Sequence, residues 1–326
     1  MTDILTPEGL QARVFSAQFA QKRIGCRCSA HNVHILPIFA ILSFVVMLSP
    51  SPVSADPLLG DDAASIPIFD VHVHYNEPAW QSFPPETVIN IFDQNKVALA
   101  LVSSSPDDGT LALWEHSPER IISELGPYHG DWTNLNWMSN DGMADYLSDR
   151  LAERDYAGIG EFHVSAVDGA DLELLGVIAR GAEARGIPIH IHSGAEPVRY
   201  FFEVAPEITV IWAHAGIPAP PFVVRPAQPA EIGAMMDSYP RLYADTSLRT
   251  PFILSEDGID PAWEELLIRH ADRFMVGSDT FRNSQWDFYG SIIEGSRSWL
   301  ALLPKTVAEK IANGNASALF GRAISD

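Results

Sequence analysis

Six residues of this 326-residue chain have types and positions that suit a divalent metal ion: His72, His74, Glu161, His192, His214 and Asp279. His72 and His74 close the apolar run Ile66–His72, which continues to His74, two residues apart. In a strand that spacing turns both imidazoles to one face. Two imidazoles one pleat apart can grip one ion, though a lone His-x-His is equally a pair of histidines satisfied in a polar loop. The other four residues decide between these readings, because each also closes an apolar run. Glu161 does so in Gly158-Ile159-Gly160-Glu161-Phe162-His163, and His192 in Ile187-Pro188-Ile189-His190-Ile191-His192. His214 follows Val210-Ile211-Trp212-Ala213, and Asp279 follows Met275-Val276-Gly277-Ser278. Any one has a plain alternative: an aspartate can cap a helix, and a histidine can be structural. A buried glutamate is harder to explain without a partner or a metal.

The chemistry that such a site offers is hydrolysis. A bound divalent ion lowers the pKa of its water from about 15.7 towards ~7 and polarises a carbonyl or phosphoryl oxygen. Asp279 can take the water's proton and pass it to the leaving group. Nitrogen and oxygen ligands suit zinc, with manganese, iron or cobalt as alternatives. Candidates for contact with substrate are His163 and His190, which share strand faces with Glu161 and His192, together with Arg225, Arg249, Arg282 and Trp286. Tyr128, His129, Trp132, Trp137, Tyr200 and Phe201 add aromatic surface. Aromatics with a few arginines around a metal suit a small, partly apolar organic anion.

The elements that must position these residues alternate. Eight short apolar runs read as strands: 66–72, 97–103, 120–125, 157–162, 187–192, 208–214, 242–245 and 274–278. Near-continuous apolar strands are buried on both faces, as in parallel sheets. Between them lie amphipathic segments at 85–94, 141–154, 170–185, 230–239 and 261–270, with a fainter one near 111–116. Leu172, Leu175, Ile178 and Ala179 recur at helical spacing, and Gly186 stands where a C-cap glycine belongs. Strand and helix alternating eight times predict an α/β fold, a single-domain (β/α)₈ TIM barrel, whose strand ends meet at one catalytic mouth. The proline-rich stretch 216–228 reads as a stiff loop over that mouth.

Residues 1–55 read as a leader, a cleavable signal peptide, and residues 56–326 as the barrel, close to the ~250 residues typical of that fold. Lys22, Arg23 and Arg27 precede an apolar run from Ile35 to Leu48, and Val53 and Ala55 fit the small-residue positions of a signal-peptidase site. The run is too short for a comfortable transmembrane helix. Export to the periplasm or beyond is therefore expected, with retention of the leader as a membrane anchor as the alternative. Both cysteines, Cys26 and Cys28, lie in the leader, so thiolate ligands and disulfides are excluded from the rest. A formal net charge of −21 speaks against nucleic acid and anionic membrane surfaces as partners of the mature chain. It leaves a small molecule as the partner and says nothing of oligomeric state.

The motifs Phe69-Asp70-Val71-His72-Val73-His74, His192, His214-Ala215-Gly216 and Gly277-Ser278-Asp279 resemble the amidohydrolase superfamily, most closely its amidohydrolase-2 branch. Ile311-Ala312-Asn313-Gly314-Asn315-Ala316 with Leu319-Phe320-Gly321 looks like that branch's closing helix. The resemblance implies a metal-dependent hydrolase of an amide, lactone, ester or phosphoester, with one or two divalent ions, usually zinc, in the barrel mouth. Many binuclear members carry a carboxylated lysine where this chain has Glu161, and a glutamate can bridge two ions unmodified. Two ions are favoured: His72, His74 and Asp279 on one, His192 and His214 on the other, Glu161 between. The rival is a single ion on His72, His74, His192 and Asp279, with His214 catalytic, as in non-oxidative decarboxylases of the same branch. A non-catalytic metal-binding barrel is a third reading.

Overall fold

Apolar, β-branched runs can pack a second layer on each face, and here they become parallel strands with helices outside. The computed structural model describes residues 61–167, 171–219 and 225–324; the leader read in 1–55 lies outside the described residues. The strands are β1 (Ile68–Val73), β2 (Val97–Val102), β3 (Ile121–Leu125), β4 (Gly158–Val164), β5 (Ile189–Ser193), β6 (Val210–Trp212) and β7 (Leu242–Asp245), then a small antiparallel hairpin of β8 (Leu254–Ser255) and β9 (Gly258–Ile259), and last β10 (Phe274–Met275). Strands β1 to β7 and β10 form one eight-stranded sheet in sequence order. Its neighbours pair in parallel throughout. The Val71 N–H donates to Val276 O (2.9 Å) and the Asp279 N–H to His72 O (2.7 Å), which ties the first strand to the segment after the last. The sheet thus curls into the expected barrel.

The helices fall where the periodicity places them. Pro85–Gln94 matches its predicted span, and Met143–Glu153, Asp171–Arg185, Pro229–Ser238 and Pro261–Arg269 match to within a residue or two. The faint second helix is longer than its apolar pattern, running over Asp108–His116. Within the proline-rich stretch, residues 220–224 lie outside the described residues. Among the described residues no helix is long and apolar enough to cross a membrane.

Two strands end earlier than their apolar runs. β6 stops at Trp212, and His214 sits in a 3-10 turn, Ala213–Ala215, with φ of 55°. β10 stops at Met275, and Asp279 also has φ of 55°. Left-handed backbone at a residue with a side chain costs of order 1–3 kcal/mol and persists only where the surroundings hold it. Here they do: the His214 N–H donates to Asp245 Oδ2 (3.2 Å), and the Asp279 N–H is the one that reaches His72 O. Both bends carry a side chain expected at the metal.

The core has two parts. A large cluster lies between strands and helices. A smaller one gathers Phe69, Val71, Leu99, Leu101, Ile122, Ile211 and Met275 from five strands, so it fills the barrel interior. Ala316, Leu319 and Phe320 close it from below, with the Phe320 and Phe69 rings 5.8 Å apart. The helix Asn315–Phe320 is therefore a plug at the end of the barrel opposite the histidines.

Candidate metal centre

Close approach of backbones is the first requirement of this site, and glycine supplies it. At Gly160 (φ +151°) an added Cβ would lie 2.4 Å from His190 O, so only glycine lets β4 run this near β5. That contact sets Glu161 beside His192, with His192 Nδ1 3.0 Å from Glu161 Oε1. At Gly277 a Cβ would lie 2.8 Å from His72 Cβ and 2.9 Å from Asp245 Oδ1.

All six residues expected at the metal come together. His72 Nε2 and His74 Nε2 approach to 3.1 Å, and each lies 3.5 Å from Asp279 Oδ1. Glu161 turns Oε2 towards His74 Nε2 (3.6 Å) and Oε1 towards His214 Nε2 (3.5 Å). His214 Nε2 is 4.0 Å from Asp279 Oδ2. The sets His72–His74–Asp279, His72–Glu161–His214 and Glu161–His163–His192 each bring ligand atoms within 4.8 Å of one another.

Hydrogen bonds behind the rings fix which nitrogen faces inward. His74 Nδ1–H donates to Ser103 O (2.9 Å), and His72 Nδ1–H to Asp245 Oδ2 (3.2 Å). The Ser247 hydroxyl donates to Asp245 Oδ1 in a very short bond, which leaves its oxygen to accept from His214 Nδ1–H (2.7 Å). Three imidazoles are thereby held in the tautomer that turns a bare Nε2 to the centre, as metal-ligating histidines are. Burial pushes the His72 pKa down to about 3 against the pull of Asp245, so the ring stays neutral. Two buried atoms of the cluster, Glu161 Oε1 and His192 Nε2, have no hydrogen-bond partner. Unpartnered buried polar atoms beside three imidazoles that present a bare Nε2 fit a divalent cation.

The carboxylates differ. Burial opposes charge on Glu161, but His163, His192 and His214 outweigh it and hold the group well below the usual carboxylate range. On Asp279 burial dominates: despite His74, and with Glu161 and Asp245 adding repulsion, its pKa rises to about 7.

Asp245 and Glu124 escaped the sequence reading. Asp245 closes β7, is fully buried and accepts from His72, from His190 Nε2 (3.1 Å) and from the His214 backbone. His190 Nδ1 lies 3.2 Å from Glu124 Oε2. Burial alone would lower the His190 pKa, but Glu124 and Asp245 carry it up to about 10, so an imidazolium links the two carboxylates. The signals were present: Asp245 ends its strand as Asp279 ends its run, and Glu124 interrupts the apolar run Ile121–Leu125.

A cavity of about 550 Å³ opens above the centre, lined by His74, Glu161, His192 and Asp279 and by the loop 128–134. Of the residues expected around substrate, the aromatics Tyr128, His129 and Trp132 line it, and so does His163. Its Nδ1 is held by the Tyr128 hydroxyl (2.7 Å), and burial brings its pKa down to about 4. The others do not line the cavity. His190 is wholly buried between Glu124 and Asp245. Arg249 is buried too: its guanidinium donates to His214 O and Ala215 O (both 2.6 Å), satisfying the left-handed turn. Arg225 is exposed and paired with Glu231 (2.8 Å). Arg282 lies over the outer Phe281 ring, 4.8 Å from its centroid. Trp286 packs in the core against Tyr75, Phe92 and Tyr289. Trp137 is buried and donates to His163 O (3.0 Å), and Phe201 is buried in the core. Tyr200 donates to Leu172 O (2.7 Å).

An amidohydrolase family model matches residues 130–322, more than half of the chain. The chain belongs to that family and is a metal-dependent hydrolase. Its fold is similar to that of a putative 2-pyrone-4,6-dicarboxylic acid hydrolase from Pseudomonas putida, at 14% identity over 80% of this chain and 99% of that one, with a TM-score of 0.54. The phosphotriesterase homology protein from Escherichia coli, complexed with phosphate in its active site, is similar at 13% identity, 78% and 99% coverage and a TM-score of 0.54. Dihydroorotase from Campylobacter jejuni is similar at 12% identity, 79% and 84% coverage and a TM-score of 0.51. No curated protein matches.

Proposed function

We propose that this hydrolase works with two divalent ions, zinc by ligand chemistry, on a small organic amide, lactone, ester or phosphoester. One observation carries the count. Glu161 presents Oε2 to His74 and Oε1 to His192 and His214, with His72 further off at 3.8 Å from Oε1, so its carboxylate lies between two donor sets, where a bridge would. In this reading His72, His74 and Asp279 would hold one ion, His192 and His214 the other. A bound divalent ion supplies a Lewis acid that polarises the scissile group and makes water acidic near neutral pH.

The chain's own residues do the rest. Asp279 directs Oδ1 at the His72–His74 pair, which leaves Oδ2 to receive the proton of the attacking water and return it to the leaving group. His214 stands opposite, with Nδ1–H tied back to Ser247. The neutral His163, fixed by Tyr128, orients the substrate over Glu161. Arg249 keeps the His214 turn in place from behind rather than contacting substrate.

Metal content per chain, measured on protein prepared without added metal or chelator, tests the count. About two equivalents are expected. About one would point to the single-ion decarboxylase arrangement, with His214 as a catalytic side chain. None, with no activity on adding zinc or manganese, would remove the metal reading. The leader also supports export to the periplasm or medium, and the secreted chain should then begin at Asp56 by N-terminal sequencing.

A further inference from the structure

Among the described residues that line the cavity there is neither Lys nor Arg, while Glu77, Glu161 and Asp279 all reach it. The internal segments 168–170 and 220–224, outside the described residues, contain no Lys or Arg in sequence either. The arginines expected at the substrate have other partners: Arg249 backbone carbonyls behind His214, Arg282 the Phe281 ring, Arg225 Glu231. Apolar and aromatic surface in the lining comes from Pro106, Tyr128, Trp132, Leu248 and Phe281, and Asn76, Ser105, Thr133 and Asn134 add uncharged polar groups. Leu248 and Phe281 are 46% and 45% exposed, so apolar surface is open to a ligand there.

Resting on the hydrolase reading above, we propose that this cavity takes an uncharged, flat, partly aromatic substrate and rejects polycarboxylates. The metal ligands attend to the one reacting group. A further carboxylate on the substrate would lose its water against Trp132 or Phe281 and find no cation, which is costly. The chain's net charge of −21 adds a repulsive field to the approach of any polyanion. An uncharged aromatic ring would instead bury itself against the rim and keep its face on Trp132. This corrects the organic anion that the arginines of the sequence suggested, because those arginines do not face the cavity.

Two lactones separate the cases, since they share the reacting group and differ in charge: dihydrocoumarin, which is neutral, and 2-pyrone-4,6-dicarboxylate. With metal-loaded protein, kcat/KM for the neutral lactone should exceed that for the dianion by at least about a hundredfold. Leu248→Arg, which places a cation on the rim, should move the ratio at least about tenfold towards the dianion. Arg282→Ala should leave the ratio as it was. Equal rates, preference for the dianion, or no response to Leu248→Arg would overturn the proposal. If neither lactone is hydrolysed although ions are bound, the hydrolase reading is what fails for this bond type. The charge proposal is then decided by calorimetric binding of the same two compounds: tighter binding of the neutral one upholds it, and equal or reversed affinity ends it.

Discussion

Three of the four candidate ligand histidines, His72, His74 and His214, depend on a second group for their chemistry. His72 needs Asp245 to keep its proton on Nδ1, and Asp245 needs His190 and Ser247 to stay ionised and in place. Burial raises the Asp245 pKa, yet His72 and His190 outweigh it and hold the group well below the carboxylate range. Asp245→Asn would keep the shape and remove the charge, freeing His72 to take the wrong tautomer. Outer partners of metal ligands cost roughly 10- to 100-fold in affinity when replaced. Chelator competition on Asp245→Asn should show a loss of that size, with the far-ultraviolet circular dichroism unchanged. The ligands themselves were legible because each closes an apolar run. Asp245 and Glu124 were passed over because nothing in the order of residues says that a strand-end aspartate points at a neighbouring strand's histidine. Arg249 was misread for the opposite reason: a loop arginine beside a site looks like a substrate anchor until its carbonyl partners are seen.

At the scale of elements, the apolar runs gave the strands and the periodicity gave the helices, but the residues that end them did not announce themselves. His214 and Asp279 lie past their strands in left-handed turns. Sequence periodicity carries no signal for such turns when the residues are not glycine. The glycines that matter instead mark close approach. Gly277 sits against His72 and Asp245, so Gly277→Ala must push one of them aside. A methyl group forced into packed surroundings typically costs 1–3 kcal/mol. Urea unfolding should show a loss of about that size, and metal affinity should fall with it, because the displaced atoms hold the ligand shell. A stability loss without loss of metal affinity would mean that the strand yields as a whole and the centre moves with it.

For the whole molecule, the barrel was legible from its eightfold alternation, and its plug from the closing-helix motif. What composition could not reveal is how much of the interior at the mouth is charged. Glu161, Asp279, Asp245 and Glu124 are all buried within one barrel end among histidines. Cations that bind the folded chain alone stabilise it by mass action, about 2.7 kcal/mol at a hundred times the dissociation constant. Removing them with a chelator should lower Tm by several degrees, reversed by adding back zinc, and the same chelator should leave Glu161→Ala nearly unaffected. Equal shifts in both proteins would place the stabilising ions somewhere other than this centre.

The barrel's joint lies between its first strand and the stretch after its last, where Val71 meets Val276 and His72 meets Asp279. The ligand set straddles that joint, with His72 and His74 on one lip and Asp279 on the other. A nascent chain therefore carries both histidines long before it carries the aspartate, and its cradle stays open until the ends of the sheet find each other. An ion captured there would act as a rivet through the seam, and its retention time would report how rarely the ring comes unbuttoned.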